Sequence, residues 1–135
     1  MKKLLVIAFL AALIGTTYAQ QVPAKSTFAG FTWESSSHDF GKIKQGTPVT
    51  HEFKFTNTGK IPLIITNVQA SCGCTTPSWT KEEVMPGGTG FIKATYNAAA
   101  VGAFNKTVTV TANIESGFVQ LTIKGEVQAA GASQK

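Results

Sequence analysis

Apolar and polar residues alternate along much of this chain, and residues 49–57 show the alternation most clearly. Four side chains share one face of that stretch and four share the other: Val49, His51, Phe53 and Phe55 against Thr50, Glu52, Lys54 and Thr56. A period of two is typical of a β-strand that packs one face on a core and leaves the other in water. A helix is excluded here, because its apolar positions recur roughly every three to four residues.

Other stretches have the same extended character, and turn-forming residues separate them roughly every 8–12 residues, as in β-sandwiches. The predicted strands cover residues 31–34, 38–43, 49–57, 62–68, 91–96, 104–112 and 118–127. No helical periodicity longer than one turn interrupts them. The sequence therefore predicts an all-β protein, an immunoglobulin-like β-sandwich of about seven antiparallel strands.

Residues 1–19 have the pattern of a secretory signal peptide. Lys2 and Lys3 precede an apolar run at residues 4–14, and small residues follow up to Ala19. We expect cleavage near Ala19 and export to the periplasm or the exterior, with an uncleaved N-terminal anchor as the alternative. No second apolar run follows, so no transmembrane segment is expected after signal removal.

The rest of the chain divides into three expected parts. Residues 20–30 and 128–135 are small, polar and unpatterned. We expect the first to be a flexible linker and the second a disordered tail. Residues 31–127 between them form the expected sandwich domain.

The charge balance argues against nucleic acid as a partner. The chain has 12 basic residues, all of them lysine, against 7 acids, and its net charge is +5. Two of the lysines belong to the predicted signal peptide, so the mature excess is smaller. Arginine, the residue that binds phosphate and guanine through two parallel hydrogen bonds, is absent.

Both cysteines lie in the stretch Ser71-Cys72-Gly73-Cys74-Thr75. In an extended chain their Cα atoms would be about 7 Å apart, at the limit for a disulfide, and Gly73 makes the necessary bend easy. Such a bond would close a very small ring and stabilise the fold by only about 1.5 kcal/mol. It would be a poor staple and comparatively reducible.

Three interpretations of Cys72 and Cys74 remain open. The favoured one is structural, as small buried groups or a local disulfide. The second is a thiol-redox pair, although no Lys, Arg or His lies within five residues on either side. The third is a soft-metal site for copper(I) or zinc, in which only His38 and His51 could complete a zinc shell. We assign no metal, cofactor or catalytic residue.

Acid–base catalysis has little support in the sequence. His38 and Asp39 are adjacent, so on a strand their side chains point to opposite faces and cannot form a base–orienter pair. We therefore expect no enzyme. Six aromatic side chains are expected in the core or at its rim: Phe53, Phe55, Phe91, Tyr96, Phe104 and Phe118. Trp79 is expected to cap the sandwich, with a place on a partner-binding surface as the alternative.

The chain resembles a family of small exported bacterial proteins that carries only a domain-of-unknown-function label. The matching residues run through most of the mature chain: Asp39-Phe40-Gly41, Ile43, Gly46, Phe53, Phe55, Asn57, Gly59, Pro62-Leu63, Ile65, Ser71-Cys72-Gly73-Cys74-Thr75, Pro86-Gly87, Tyr96-Asn97, Gly102, Phe104, Lys106, Asn113, Leu121, Ile123, Gly125 and Val127. The resemblance implies an immunoglobulin-like fold, related to hydin-type and major-sperm-protein-like sandwiches, and an envelope location. It supplies no reaction.

These observations together favour a non-enzymatic interaction or structural module of the bacterial envelope. We expect an unidentified protein partner, bound through a sheet edge or through the loops at the cysteine end. The alternative is a thiol-redox or soft-metal (copper or zinc) handling protein that uses Cys72 and Cys74.

Overall fold

The computed structural model describes residues 27–131, so the predicted signal peptide, most of the predicted linker and residues 132–135 lie outside the described residues. The described part contains eight strands: β1 Phe31–Trp33, β2 Ser37–Lys44, β3 Val49–Asn57, β4 Ile65–Ala70, β5 Thr75–Trp79, β6 Thr89–Tyr96, β7 Gly102–Ala112 and β8 Phe118–Gln128.

The strands form two four-stranded sheets, with the orders β1-β3-β6-β5 and β2-β8-β7-β4. The predicted all-β, immunoglobulin-like sandwich is confirmed, with eight strands rather than seven. One pairing also differs from the prediction, because β2 lies parallel to β8 while the other neighbours are antiparallel. The chain crosses from one sheet to the other between β1 and β2, and β2 then runs in the same direction as β8.

The additional strand is β5, which the sequence predicts as part of a loop because proline cannot donate to a β-ladder. β5 is an edge strand that pairs with β6 alone. The amide of Asn97 donates to Cys74 O (2.9 Å), and the amide of Thr80 donates to Phe91 O (3.1 Å). Since ladder bonds alternate, Pro77 faces the free edge, where its missing donor breaks no ladder bond.

β4 begins later and ends later than residues 62–68, where the sequence places it. Leu63 instead forms a bridge with Val84 through two hydrogen bonds of 2.8 and 2.9 Å. The ladder with β7 starts at Ile65, shifts register between Ile65 and Asn67, and continues to Ala70. The alternating pattern locates the strand, but pairing with a distant segment sets its ends.

The core lies between the sheets and contains the inward-facing side chains of both. Its largest fully buried apolar members are Phe53, Phe55, Leu63, Ile92, Val108, Val110, Leu121, Ile123 and Val127. Tyr96 and Phe104 are also buried, as predicted, and Trp79 packs against the core. The prediction for Phe118 is wrong, since this side chain is 52% exposed. Leu121 and Ile123 are on the buried face of β8, and the alternation of a strand puts Phe118 on the opposite face.

Candidate functional site

The cysteine loop crosses between the two sheets at one end of the sandwich, since β4 belongs to one sheet and β5 to the other. In the structure a disulfide joins Cys72 and Cys74, and their Cα atoms lie 5.3 Å apart. The chain is therefore bent at Gly73, and a Cβ added there would meet no atom within 4 Å. The loop presents its middle residue to open space.

Backbone hydrogen bonds hold both ends of this loop. On the β4 side, the amide of Ser71 donates to Thr107 O (2.8 Å), and the amide of Thr107 donates to Ser71 Oγ (3.1 Å). On the β5 side, the amide of Asn97 donates to Cys74 O (2.9 Å). None of these bonds uses a sulfur atom, so the loop has anchors that are independent of the disulfide.

The two sulfurs have different surroundings. Cys74 packs against the hydrophobic core, whereas Cys72 is not among the side chains that do so. Cys72 Sγ lies 3.9 Å from the hydroxyl of Thr75, within the range of a sulfur hydrogen bond. Thr75 is only 4% exposed and is one of two buried polar residues of the described part. The pair therefore combines one sulfur against the core and one beside a buried hydroxyl.

The fold brings one lysine towards the loop that a search along the sequence misses. Lys106 is far from the cysteines in sequence, but it directly precedes Thr107, whose backbone pairs with that of Ser71. The β4–β7 ladder ends at the pair Ala70–Val108 and the Ser71–Thr107 hydrogen bond extends it by one residue, so Lys106 is the next β7 residue towards the loop. In the sequence, Lys106 lies midway between Phe104 and Val108, so on a strand its side chain is on the same face as these two buried residues.

The structure does not bring the histidines to the cysteines. His38 and His51 stack on each other, with ring centroids 3.7 Å apart and planes 7° from parallel. β6 lies between β3, which carries His51, and β5, which follows the cysteine loop. Within residues 27–131 no group of three His, Cys, Asp or Glu side chains is close enough to hold a metal ion. The four-ligand zinc shell proposed from the sequence is thus not assembled.

His38 and Asp39 are engaged separately, as their strand positions predict. The carboxylate of Asp39 accepts a hydrogen bond from the amide of Gly41 (2.8 Å) in the irregular part of β2. The imidazole of His38 packs edge-on against Phe40 as well as on His51. Asp39 therefore stabilises the local backbone of β2, His38 belongs to a stack of rings, and the two side chains form no base–orienter pair.

The sheet edges are the second candidate site, because an unpaired edge can accept another strand unless a protective feature prevents it. Three of the four edges have such a feature. β1 is three residues long, and β5 has Pro77 on its free side. β2 has a register shift between Asp39 and Lys42, and it also carries Lys44.

β4 is the edge without comparable protection. Its six residues, Ile65–Ala70, include no proline and no charged side chain, and its irregularity is confined to the start, between Ile65 and Asn67. Ser71 directs its amide to β7, so the alternation of an antiparallel ladder turns the backbone groups of Val68 and Ala70 away from β7. These groups form a short row of donors and acceptors along the free edge.

These features define an immunoglobulin-like β-sandwich, and solved structures share this fold. A protein of unknown function from Porphyromonas gingivalis W83 superposes with a TM-score of 0.64 at 17% identity, over 78% of this chain and 51% of its own. The ASH/PapD-like domain 7 of human CEP192 gives 0.62 at 10% identity, over 87% and 96%. A family 123 glycoside hydrolase from Clostridium perfringens gives 0.60 at 10% identity, over 76% and 28%.

These identities support the fold and no activity, and this chain spans about half the length of the Porphyromonas protein. The family described as "Protein of unknown function (DUF1573)" matches residues 31–127, and the chain belongs to that family. No protein of curated function matches the sequence. Within the described residues, no helix is long and apolar enough to cross a membrane.

Proposed function

We propose that this protein is a non-enzymatic interaction module of the bacterial envelope that binds an extended segment of a partner protein along β4. The observation that carries the proposal is the contrast between β4 and the other three edges. Short length, proline, or a bulge with lysines blocks strand addition at β1, β5 and β2. β4 has none of these along Asn67–Ala70, and strand addition is a recurrent mode of peptide recognition.

The chemistry of β4 specifies the kind of segment that fits. The outward groups of Val68 and Ala70 would hydrogen-bond to the main chain of an added strand. Val68 is buried on the inner face, while Asn67 and Gln69 are exposed on the outer face. An added strand would therefore place small apolar side chains beside Val68 and polar, uncharged ones beside the two amides.

The envelope location rests on the predicted signal peptide in residues 1–19. The disulfide between Cys72 and Cys74 is consistent with that location, because disulfides persist in oxidising compartments such as the periplasm.

The fold provides a matched pair of positions for the test. Gln69 on β4 and Gln120 on β8 both pair with Thr109, so they lie in one cross-strand row on the outer face. Gln69 is at the free edge, whereas Gln120 is two strands away. A photo-crosslinking amino acid is placed at each position in turn, and adducts are collected from intact cells.

We expect an adduct with a separate protein from position 69 and none from position 120. In the otherwise native chain, Gln69→Lys should abolish the adduct from a crosslinker at residue 67, and Gln120→Lys should preserve it, because only the first change puts a charge at the edge. Equal adducts from both positions, no adduct from position 69, or an adduct made of two copies of this chain would contradict the proposal. Circular dichroism checks that each variant keeps its fold.

A further inference from the structure

The environments of Cys72 and Cys74 assign different roles to the two sulfurs in thiol–disulfide exchange. An incoming thiolate must reach one sulfur in line with the bond, and the other sulfur leaves with the bonding electrons. Both residues are half-buried, but Cys74 packs against the hydrophobic core and Cys72 is not among the side chains that do so, so Cys72 is the sulfur with fewer neighbours in the path of an attacking thiolate. The backbone at Gly73, between them, has open space on its side-chain side.

We propose that the Cys72–Cys74 disulfide exchanges with a dithiol of a second protein, with Cys72 as the sulfur attacked and Cys74 as the leaving group. The partner's thiolate attacks Cys72 Sγ, the bond between the sulfurs breaks, and Cys74 leaves as a thiolate that takes up a proton. The partner's second thiolate then attacks its own sulfur in the mixed disulfide and releases Cys72. The pair has gained two electrons and two protons, and the partner's dithiol has become a disulfide.

Thr75 gives the second step its physical basis. Its hydroxyl lies 3.9 Å from Cys72 Sγ, and in the disulfide the sulfur can act only as acceptor, so the hydroxyl is the donor. A hydrogen bond to the charged form of an acid stabilises that form. The Thr75 hydroxyl therefore stabilises the Cys72 thiolate when it leaves the mixed disulfide, and a better leaving thiolate departs faster.

The fold allows the bond to open without unfolding. The loop ends are held by backbone bonds from Ser71 to Thr107 and from Asn97 to Cys74, and neither depends on the sulfur–sulfur bond. A three-residue loop also restricts the unfolded chain very little. Both oxidation states are thus compatible with the same sandwich, as a reversible exchange site requires.

This activity is separate from the strand addition proposed for β4, and the experiment probes it separately. Cys74→Ser leaves Cys72 as a free thiol, and Cys72→Ser leaves Cys74. Each folded variant is reacted with 5,5′-dithiobis(2-nitrobenzoate), and each rate is divided by the rate of the same variant unfolded in urea. We expect the normalised rate of Cys72 to exceed that of Cys74 at least tenfold.

Thr75→Val in the Cys74→Ser background removes the hydroxyl with little change in shape, and should slow the reaction of Cys72 several-fold. A dithiol peptide added to the native protein should reduce the disulfide while circular dichroism stays unchanged. Cys74→Ser should form a stable mixed disulfide at Cys72 with the disulfide-linked dimer of a peptide that carries one cysteine, because such an adduct lacks the second thiol that would release Cys72. Equal normalised rates, a faster Cys74, or a disulfide that is reduced only after unfolding would overturn the proposal. None of these readouts involves β4.

Discussion

The imidazole of His38 stacks on that of His51 across the two sheets, with ring centroids 3.7 Å apart and planes 7° from parallel. His38 belongs to β2 in one sheet and His51 to β3 in the other. Phe40 packs edge-on against His38 and Phe53 edge-on against His51, each with ring centroids 4.6 Å apart. Loss of water through burial lowers the pKa of His51, the charge of His38 lowers it further, and Glu52 opposes both effects.

This stack should make the free energy of unfolding depend on pH. Because the pKa of His51 is lower in the folded state than its ordinary value of about 6.5, the unfolded chain binds the proton more readily. The stabilisation is complete above about pH 6.5 and is lost as the pH falls through the lowered folded value. Urea unfolding between about pH 7.5 and pH 5 measures it.

His51→Gln should flatten that pH profile, and His38→Gln should reduce its slope because the repelling charge is gone. The other charged groups beside His51 are Glu34, Glu52 and Lys54. A native profile without slope, or the same slope in His51→Gln, would show that the stack does not couple folding to protonation.

Two glycines make room for phenylalanine rings, and methyl groups there should destabilise the fold. A Cβ at Gly125 would lie 2.9 Å from the ring of Phe104, its cross-strand partner, and a Cβ at Gly90 would lie 2.5 Å from the ring of Phe55. Gly125→Ala and Gly90→Ala should each cost about 1–3 kcal/mol in urea unfolding. Gly73→Ala is the control, expected within about 0.5 kcal/mol; a similar cost there would refute the steric explanation.

Asn57 should be among the most sensitive positions, because it is fully buried and fully hydrogen-bonded. Its Oδ1 accepts bonds from the amides of Gly30 and Gly59, and its Nδ2 donates to Ile61 O and Val84 O. Asn57→Leu keeps the volume but removes the side-chain partner of the Gly30 and Gly59 amides and of Ile61 O, while Val84 O keeps the amide of Leu63. It should cost about 3 kcal/mol in thermal or urea unfolding.

Asn97→Leu is the matched control for that change. Asn97 is exposed, and its side chain accepts one bond, from the amide of Ala99 (3.1 Å). Water can replace this bond, so the expected cost is below about 1 kcal/mol. Equal costs at Asn57 and Asn97 would argue against a special role for the buried amide.

Removing both sulfurs should have a modest effect on stability. The disulfide spans only Cys72 to Cys74, so the double variant Cys72→Ser, Cys74→Ser should lose about 1–2 kcal/mol by urea unfolding. The native protein after chemical reduction is the control and should lose about the same. A loss above about 4 kcal/mol would mean that the disulfide is a major contributor to the stability of the fold.

The sequence was sufficient for the fold class because a strand with one buried face shows its phase directly. Residues 49–57 match β3 in bounds and in phase. In β6 the alternation itself was visible, but Phe91 was expected in the core or at its rim together with Tyr96, whereas the buried positions are Ile92, Ala94 and Tyr96. Phe118 was assigned to the core because of its size, against the phase set by Leu121 and Ile123, and the phase was correct.

The tertiary structure alone decided which segments meet. β5 was not predicted as a strand, and it contains Pro77, which is tolerated because β5 lies at the edge of its sheet. The sequence located the cysteine loop, but only the packing of the two sheets made Cys72 and Cys74 unequal and left β4 as the unprotected edge. Alternation is a local property that a sequence displays, whereas neighbours and edges depend on contacts between residues far apart in the chain.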